Sequence, residues 1–263
     1  MAFTHQTALR LLCLILLISC KKEAKDPLQT ALQSADPAIR DVMDSLPEYE
    51  VQIIFSKIHR KKDSVWFEDF EFQLDDSLYF YPASTVKFPV AVLALEKLEK
   101  EANYALDTPF YVEGDSVTTT FSKEITKVFA VSDNEANNRL FEYLGQDYIN
   151  QKLKEKGLMP SRISHRLSTP NADDLITKPL IFSENDSTLA QIGPFTNSSI
   201  EKLPLKGIEK GIGYYQDDSL YRQPFDFSYK NYLPLKTLHN MLKRVVFPEH
   251  FSSKEQFALS EEG

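Results

Sequence analysis

The stretch "YPASTVKFPVAVLALEKL", residues 81–98, places a serine and a lysine three apart where an apolar helix begins. Two readings of Ser84 are open. As an N-cap, its hydroxyl satisfies one of the orphan backbone N–H groups of a helix start. As a nucleophile, it has Lys87 on the same helix face one turn away, in reach of its proton. Val86, Val90, Leu93, Leu95 and Leu98 form an apolar surface broad enough for a buried helix, with Glu96, Lys97, Glu99 and Lys100 at its wet end. Pro89 falls near enough to the start to be tolerated.

A serine hydroxyl is a poor nucleophile until a base takes its proton, and a partly desolvated lysine can have its pKa lowered enough to serve. The N–H groups at a helix start can also help to stabilise a developing oxyanion. An S-x-x-K sequence alone is common. The second element, Ser132-Asp133-Asn134, lies 48 residues downstream of Ser84. It breaks two helical patterns, one from about Ser122 to Val131 and one ending at Gly145, a natural C-terminal stop. Read alone, S-D-N is a helix-capping loop. Read after an S-x-x-K helix, it offers Ser132 as a proton relay to a leaving nitrogen and Asn134 as a hydrogen-bond partner for a substrate amide.

With these two motifs the chain resembles the penicillin-recognising serine hydrolases, most closely the class A β-lactamases, which carry S-x-x-K and S-D-N. "YPASTVKFPVAVLALEKL" and "AVSDNEANNRLFEYLG" are similar to that family's nucleophile helix and second-motif loop, and the resemblance covers residues 48 to 160. It implies an α/β fold of the β-lactamase/DD-peptidase type, an antiparallel sheet flanked by helices plus a helical subdomain. It also implies an acyl-enzyme at Ser84, with Lys87 as general base or its electrostatic support, Ser132 as proton shuttle and Asn134 as substrate contact. The expected partner is a small β-lactam or a peptidoglycan peptide, with no cofactor.

Two departures bear on turnover. The family positions its deacylating water with a glutamate, and at the matching distance this chain reads "HRLSTPNADD" (165–174), with Ser168 standing for the glutamate beside a family-like Arg166. Glu184 is the next acid with any prospect of substituting, and a poor one. The K-T-G or K-S-G of the family's third motif is also missing. Lys206-Gly207 and Lys210-Gly211 precede the last helical pattern and read as turns. The chain is therefore expected to lack the C-terminal strands that carry the third motif. A rival reading is a non-catalytic or slowly deacylating lipoprotein that binds penicillin or peptidoglycan.

The remaining sequence frames this domain. Residues 1–19, with the apolar run Leu11–Ile18, read as a signal peptide too short to span a bilayer. Leu17-Ile18-Ser19-Cys20 resembles a bacterial lipobox, which implies lipidation at Cys20 and an envelope protein anchored to a membrane and facing the periplasm or exterior. Residues 20–45 are polar with two prolines and read as a tether, leaving 46–263 as the hydrolase domain. Cys13 and Cys20 are the only cysteines, so disulfides are not expected in the mature chain. Cleavage before Cys20 changes the net charge from −8 to −9, which argues against nucleic acid. The scattered histidines lack ligand spacing, so no metal is expected, and a monomer is. "EVQIIFSKIHR" (50–60) and "VWFEDFEF" (65–72) suggest an antiparallel hairpin. "QDYINQKLKEKGL" (146–158) and "YLPLKTLHNMLKRVVF" (232–247) read as helices, whereas 160–227 carries few periodic signals.

Overall fold

A computed structural model describes residues 26–62, 64–101, 104–184, 187–216 and 218–260. The signal segment and Cys20 lie outside the described residues. The chain divides into two compact units. One comprises the described residues through His59 together with Phe67–Gln73, and the other comprises Arg60–Trp66 and Leu74 onward. This division falls within the hairpin.

In the first unit, two Asp-Pro pairs start helices. The Asp26 carboxylate accepts from the N–H groups of Leu28 and Gln29 at 2.8 and 3.1 Å, opening α1 (Pro27–Leu32). Asp36 accepts from Ala38 at 2.9 Å and opens α2 (Pro37–Asp44). Proline suits the first helical position because the N–H it lacks would have had no intrahelical partner. The segment read as a tether is therefore helical from Pro27. A short α3 (Leu46–Tyr49) closes on Glu50, whose φ is 48°. The expected hairpin is present as β1 (Ile53–Lys61) and β2 (Ser64–Phe72), a two-stranded sheet with Phe55 and Phe70 stacked at 6.0 Å.

The second unit is built around α4 (Lys87–Glu101). Val90, Ala91, Leu93, Ala94 and Leu98 are fully buried in it, and it packs against α5 (Phe121–Val131), α6 (Asn134–Leu144) and α7 (Gln146–Glu155). Each such aliphatic side chain contributes on the order of 1.5–3 kcal/mol by leaving water. The α5 and α6 boundaries match the sequence expectation to within a residue, and Gly145 stops α6 with φ 75°. The last helix, α8 (Leu235–Val246), turns Met241 fully into the core.

The stretch 160–227, expected to be irregular, contains strands. A three-stranded antiparallel sheet joins β3 (Phe110–Val112), β4 (Leu180–Glu184) and β5 (Ser187–Ile192), with Phe110 opposite Phe182. Leu180 and Phe182 are its inward residues on β4, and both are fully buried. Phe110, Phe121, Tyr143, Phe182 and Tyr104 form one aromatic cluster, with Tyr104 stacked on Phe182 at 3.8 Å and Phe121 edge-on to Tyr143 at 4.7 Å. Two further ladders pair β6 (Glu209–Lys210) with β9 (Phe225–Asp226), and β7 (Tyr214–Gln216) with β8 (Ser219–Tyr221). Gly207 and Gly211 occupy positive φ, as the turn reading required, whereas Lys210 ends β6. Among the described residues no helix is long and apolar enough to cross a membrane.

Candidate active site

Ser84 does not cap the helix. It sits in a 3₁₀ turn, Ala83–Val86, without a side-chain capping bond, and α4 begins only at Lys87. Ser84 is exposed, and its hydroxyl makes no hydrogen bond among the described residues. Ala83, immediately before it, is held at φ 45°, a conformation that costs a non-glycine residue of order 1 kcal/mol and is retained where the surroundings enforce it.

Lys87 reaches from the mouth of α4 to the second motif. Its Nζ donates to the Ser132 carbonyl oxygen and lies 3.0 Å from Ser132 Oγ. The lysine is 2% exposed. Burial pulls its pKa below the usual lysine value of 10.5, against the opposing pull of the neighbouring Asp133 carboxylate. Ser132 presents both of its oxygens because it terminates α5 in the left-handed conformation, φ 54° and ψ 42°. That turn aims carbonyl and hydroxyl at the same ammonium. Asp133 then caps α6 by accepting from the Ala136 N–H at 2.8 Å. One break between two helices therefore positions the Ser132 hydroxyl and sets a carboxylate beside Lys87.

Asn134, the first residue of α6, donates from Nδ2 to Ser168 Oγ at 3.0 Å. Ser168 itself has φ 50°. One turn further along α6, Asn138 brackets the backbone of Leu167, donating to its carbonyl oxygen and accepting from its N–H, both at 2.8 Å. After another turn, Glu142 takes both Nε and Nη2 of Arg166, at 2.5 and 2.9 Å. The Arg166 guanidinium is buried, and it also donates to the carbonyl oxygens of Asp174 and Ile176, so it ties residues 166–176 into one folded loop. Asn138 and Glu142 are site-building residues that the motif reading missed. The spacing 134, 138, 142 is a polar stripe on one helix face and could have signalled them.

Of the acids that follow Ser168, Asp173 pairs with Lys230 at 2.9 Å, and Glu184 is the last residue of β4. His165 is half-buried, directs Nδ1 to the Arg166 carbonyl oxygen at 2.6 Å, and has its pKa lowered by burial. Among the described residues no group of three or more His, Cys, Asp or Glu is placed to hold a metal ion. The structure thus brings Lys87 to Ser132 and Asn134 to Ser168, with the exposed Ser84 one turn before Lys87.

Comparison with known proteins names the class. A family model described as the β-lactamase enzyme family matches residues 37–191, more than half of the chain, and the chain belongs to that family of β-lactamase-like serine hydrolases. Among solved structures it is similar to a β-lactamase from Sphaerobacter thermophilus DSM 20745, at 20% identity and a TM-score of 0.34, over 49% of this chain and 52% of that one. The match thus spans about half the length of that structure. No curated protein matches.

Proposed function

We propose that the protein is an envelope-anchored serine hydrolase of the β-lactamase class that opens a β-lactam, or cleaves a peptide-like amide of the cell wall, through an acyl-enzyme at Ser84. The observation that carries this reading is the lysine of S-x-x-K, buried and bonded to the serine of S-D-N, beside a serine hydroxyl with no competing partner. In the acylation step Ser84 Oγ bonds to the carbonyl carbon and the C–N bond breaks. The Ser84 proton passes to neutral Lys87 and through Ser132 Oγ to the leaving nitrogen. The Asn134 amide, which now holds Ser168, turns to the substrate's acyl amide.

Deacylation is the slow half. A water attacking the ester needs a base, and the loop that contacts Asn134 presents a serine, with Asp173 committed to Lys230. Loss of a positioned general base costs about 10²–10⁴-fold. Intact-mass spectrometry after incubation with benzylpenicillin should therefore show a persistent adduct of one penicillin, absent in Ser84→Ala. Rapid multiple turnover would overturn the slow-deacylation reading, and no adduct on the folded protein would overturn the acyl-enzyme. The second reading, a lipoprotein that binds without reacting, draws on the Asn134–Ser168 bond, which keeps the substrate-contact amide occupied. Anchoring rests on the lipobox-like Leu17–Cys20. Radiolabelled palmitate should enter the protein in cells and fail to enter Cys20→Ala; equal labelling would exclude Cys20.

A further inference from the structure

The candidate site occupies the start of α4, the break between α5 and α6, and the loop that follows Arg166. A separate cavity of about 470 Å³ lies past the opposite end of α6, between the start of α7 and residues 159–162 and 198–205. The 11 residues of α6 make it about 16 Å long. None of Ser84, Lys87, Ser132, Asn134 and Ser168 lines this cavity. Its volume is in the range of small-ligand sites. Most of its wall is aliphatic, from Met159, Pro160, Ile200, Leu203, Pro204 and Leu205.

Against this wall stands a cation without a counter-charge. Arg139 and Arg166 are each neutralised by a glutamate, at 3.0 and 2.5 Å. Arg162, half-buried in the cavity lining, pairs with no carboxylate among the described residues. Its partners are backbone carbonyl oxygens. Nε and Nη2 donate to Lys230 at 3.2 and 2.8 Å, Nη2 also to Ser228 at 2.7 Å, and Nη1 to Glu201 at 2.6 Å. An arginine has five N–H donors, so one on Nη1 remains for an occupant. Carbonyl dipoles satisfy the hydrogen bonds but leave the charge, and a partly desolvated charge is stabilised by an opposite one.

The polar groups of the lining decide what body the anion carries. Asp147 accepts from the N–H and hydroxyl of Ser198 at 2.9 and 2.7 Å, and Gln146 donates to the Ser198 carbonyl oxygen at 2.9 Å. Asn150 donates to the Ile163 carbonyl oxygen at 2.7 Å and accepts from its N–H at 2.9 Å, and Ser161 donates to the Leu158 carbonyl oxygen at 2.8 Å. A peptide or sugar would therefore bury its amides or hydroxyls against groups already engaged, which costs free energy. A hydrocarbon chain meets the aliphatic wall without that cost. A phosphate monoester would bring nearly two charges to one guanidinium, whereas a carboxylate brings one.

We propose that this cavity binds an aliphatic carboxylate, its head on the Arg162 guanidinium and its chain along the wall formed by Met159, Ile200, Leu203 and Leu205. The inference is independent of the hydrolase reading, and its test reads binding alone. Met159 reports from the cavity wall, whereas Met241 is buried in the core. The full chain, labelled with methyl-¹³C methionine and held in lipid nanodiscs, is titrated at pH 7.5 with octanoate, 1-octanol and octylammonium. Titration of empty nanodiscs gives the free concentration of each. Octanoate should shift the Met159 methyl resonance, assigned with Met159→Leu, and leave that of Met241 in place. It should bind about tenfold more tightly than octanol, the worth of one charge-assisted contact, and octylammonium should bind more weakly than octanol. Arg162→Gln keeps amide donors for the backbone carbonyls and removes the charge, so octanoate and octanol should then bind equally. Ile200→Asp puts a like charge in the wall and should abolish the octanoate shift. Equal affinity of octanoate and octanol for the wild type, or a Met159 methyl that no probe moves, overturns the proposal. So does a preference for octanoate that survives in Arg162→Gln.

Discussion

At the scale of single residues, Lys87 is where the chemistry is most exposed to test. A lysine accepts a proton only when neutral, and burial in this site favours the neutral form by lowering the pKa from 10.5. The rate of acylation by benzylpenicillin should therefore rise with pH along a limb whose midpoint lies below 10.5. In Lys87→Met that limb should vanish and the rate fall by about 10²–10⁴-fold. Stopped-flow acylation rates from pH 5 to 10 decide the matter, and an unaltered profile in Lys87→Met would remove the lysine from the mechanism. Ser84, Lys87, Ser132 and Asn134 could be singled out as candidates from the sequence because each motif is local, within one helical turn or one loop. Their partners could not. Nothing in the sequence fixes which atoms of Ser132 face Lys87, since that follows from the left-handed turn at Ser132. The contact of Ser168 with Asn134 likewise spans 34 residues.

At the scale of elements, the break between α5 and α6 does two things through one side chain. Asp133 caps α6 and also places a negative charge beside Lys87, which opposes the effect of burial. The two roles separate under substitution. Asp133→Asn keeps an acceptor for the Ala136 N–H and removes the charge, so the Lys87 pKa should fall further and the acylation limb should move to lower pH. Asp133→Ala should shift the limb in the same direction and also cost about 1 kcal/mol of stability through the lost cap. Parallel pH–rate profiles and urea denaturation of the two variants check this, and an unmoved limb in Asp133→Asn would deny the charge its role. The helices around this break were legible because each carries an apolar stripe at helical spacing and an end signal, such as Thr120 before α5 or Gly145 after α6. The β3–β4–β5 sheet was not, because β4 turns only Leu180 and Phe182 inward, too few to set a period of two. The Asp-Pro helix starts at residues 26 and 36 were legible in principle, but the prolines were read as marks of a tether. As first helical residues they lose nothing by lacking an N–H.

At the scale of the whole molecule, long-range ion pairs set the pH range over which the second unit holds together. Glu96, fully buried on α4, would have its pKa raised by burial. Hydrogen bonds from Lys156, the Ala258 N–H and Lys100 outweigh that and hold it below 4.5. Glu124 on α5 follows the same balance, with burial opposed by bonds from Lys127, Thr119 and Arg139. A carboxyl lowered in the folded state contributes stability that is complete above its unfolded value. That stability is lost as pH falls through the folded one. Tm should therefore be level between about pH 7 and 5 and fall below 4.5. The tyrosines act at the other end. Burial raises Tyr148 and Tyr232 to about 12 and Tyr143 further, so the stability they add is complete below 10 and lost as pH rises above it. Glu124→Gln is the discriminating variant. It should lower Tm at pH 7, because Arg139 keeps Asp115 but loses one buried charged partner, at a cost of about 1–3 kcal/mol, and it should flatten the acid limb. Calorimetric scans from pH 3 to 8 read both effects, and they should persist in 0.5 M NaCl, because buried pairs are screened far less than surface ones. An acid limb as steep in Glu124→Gln as in the wild type would place the acid sensitivity elsewhere, in the exposed pairs that salt suppresses.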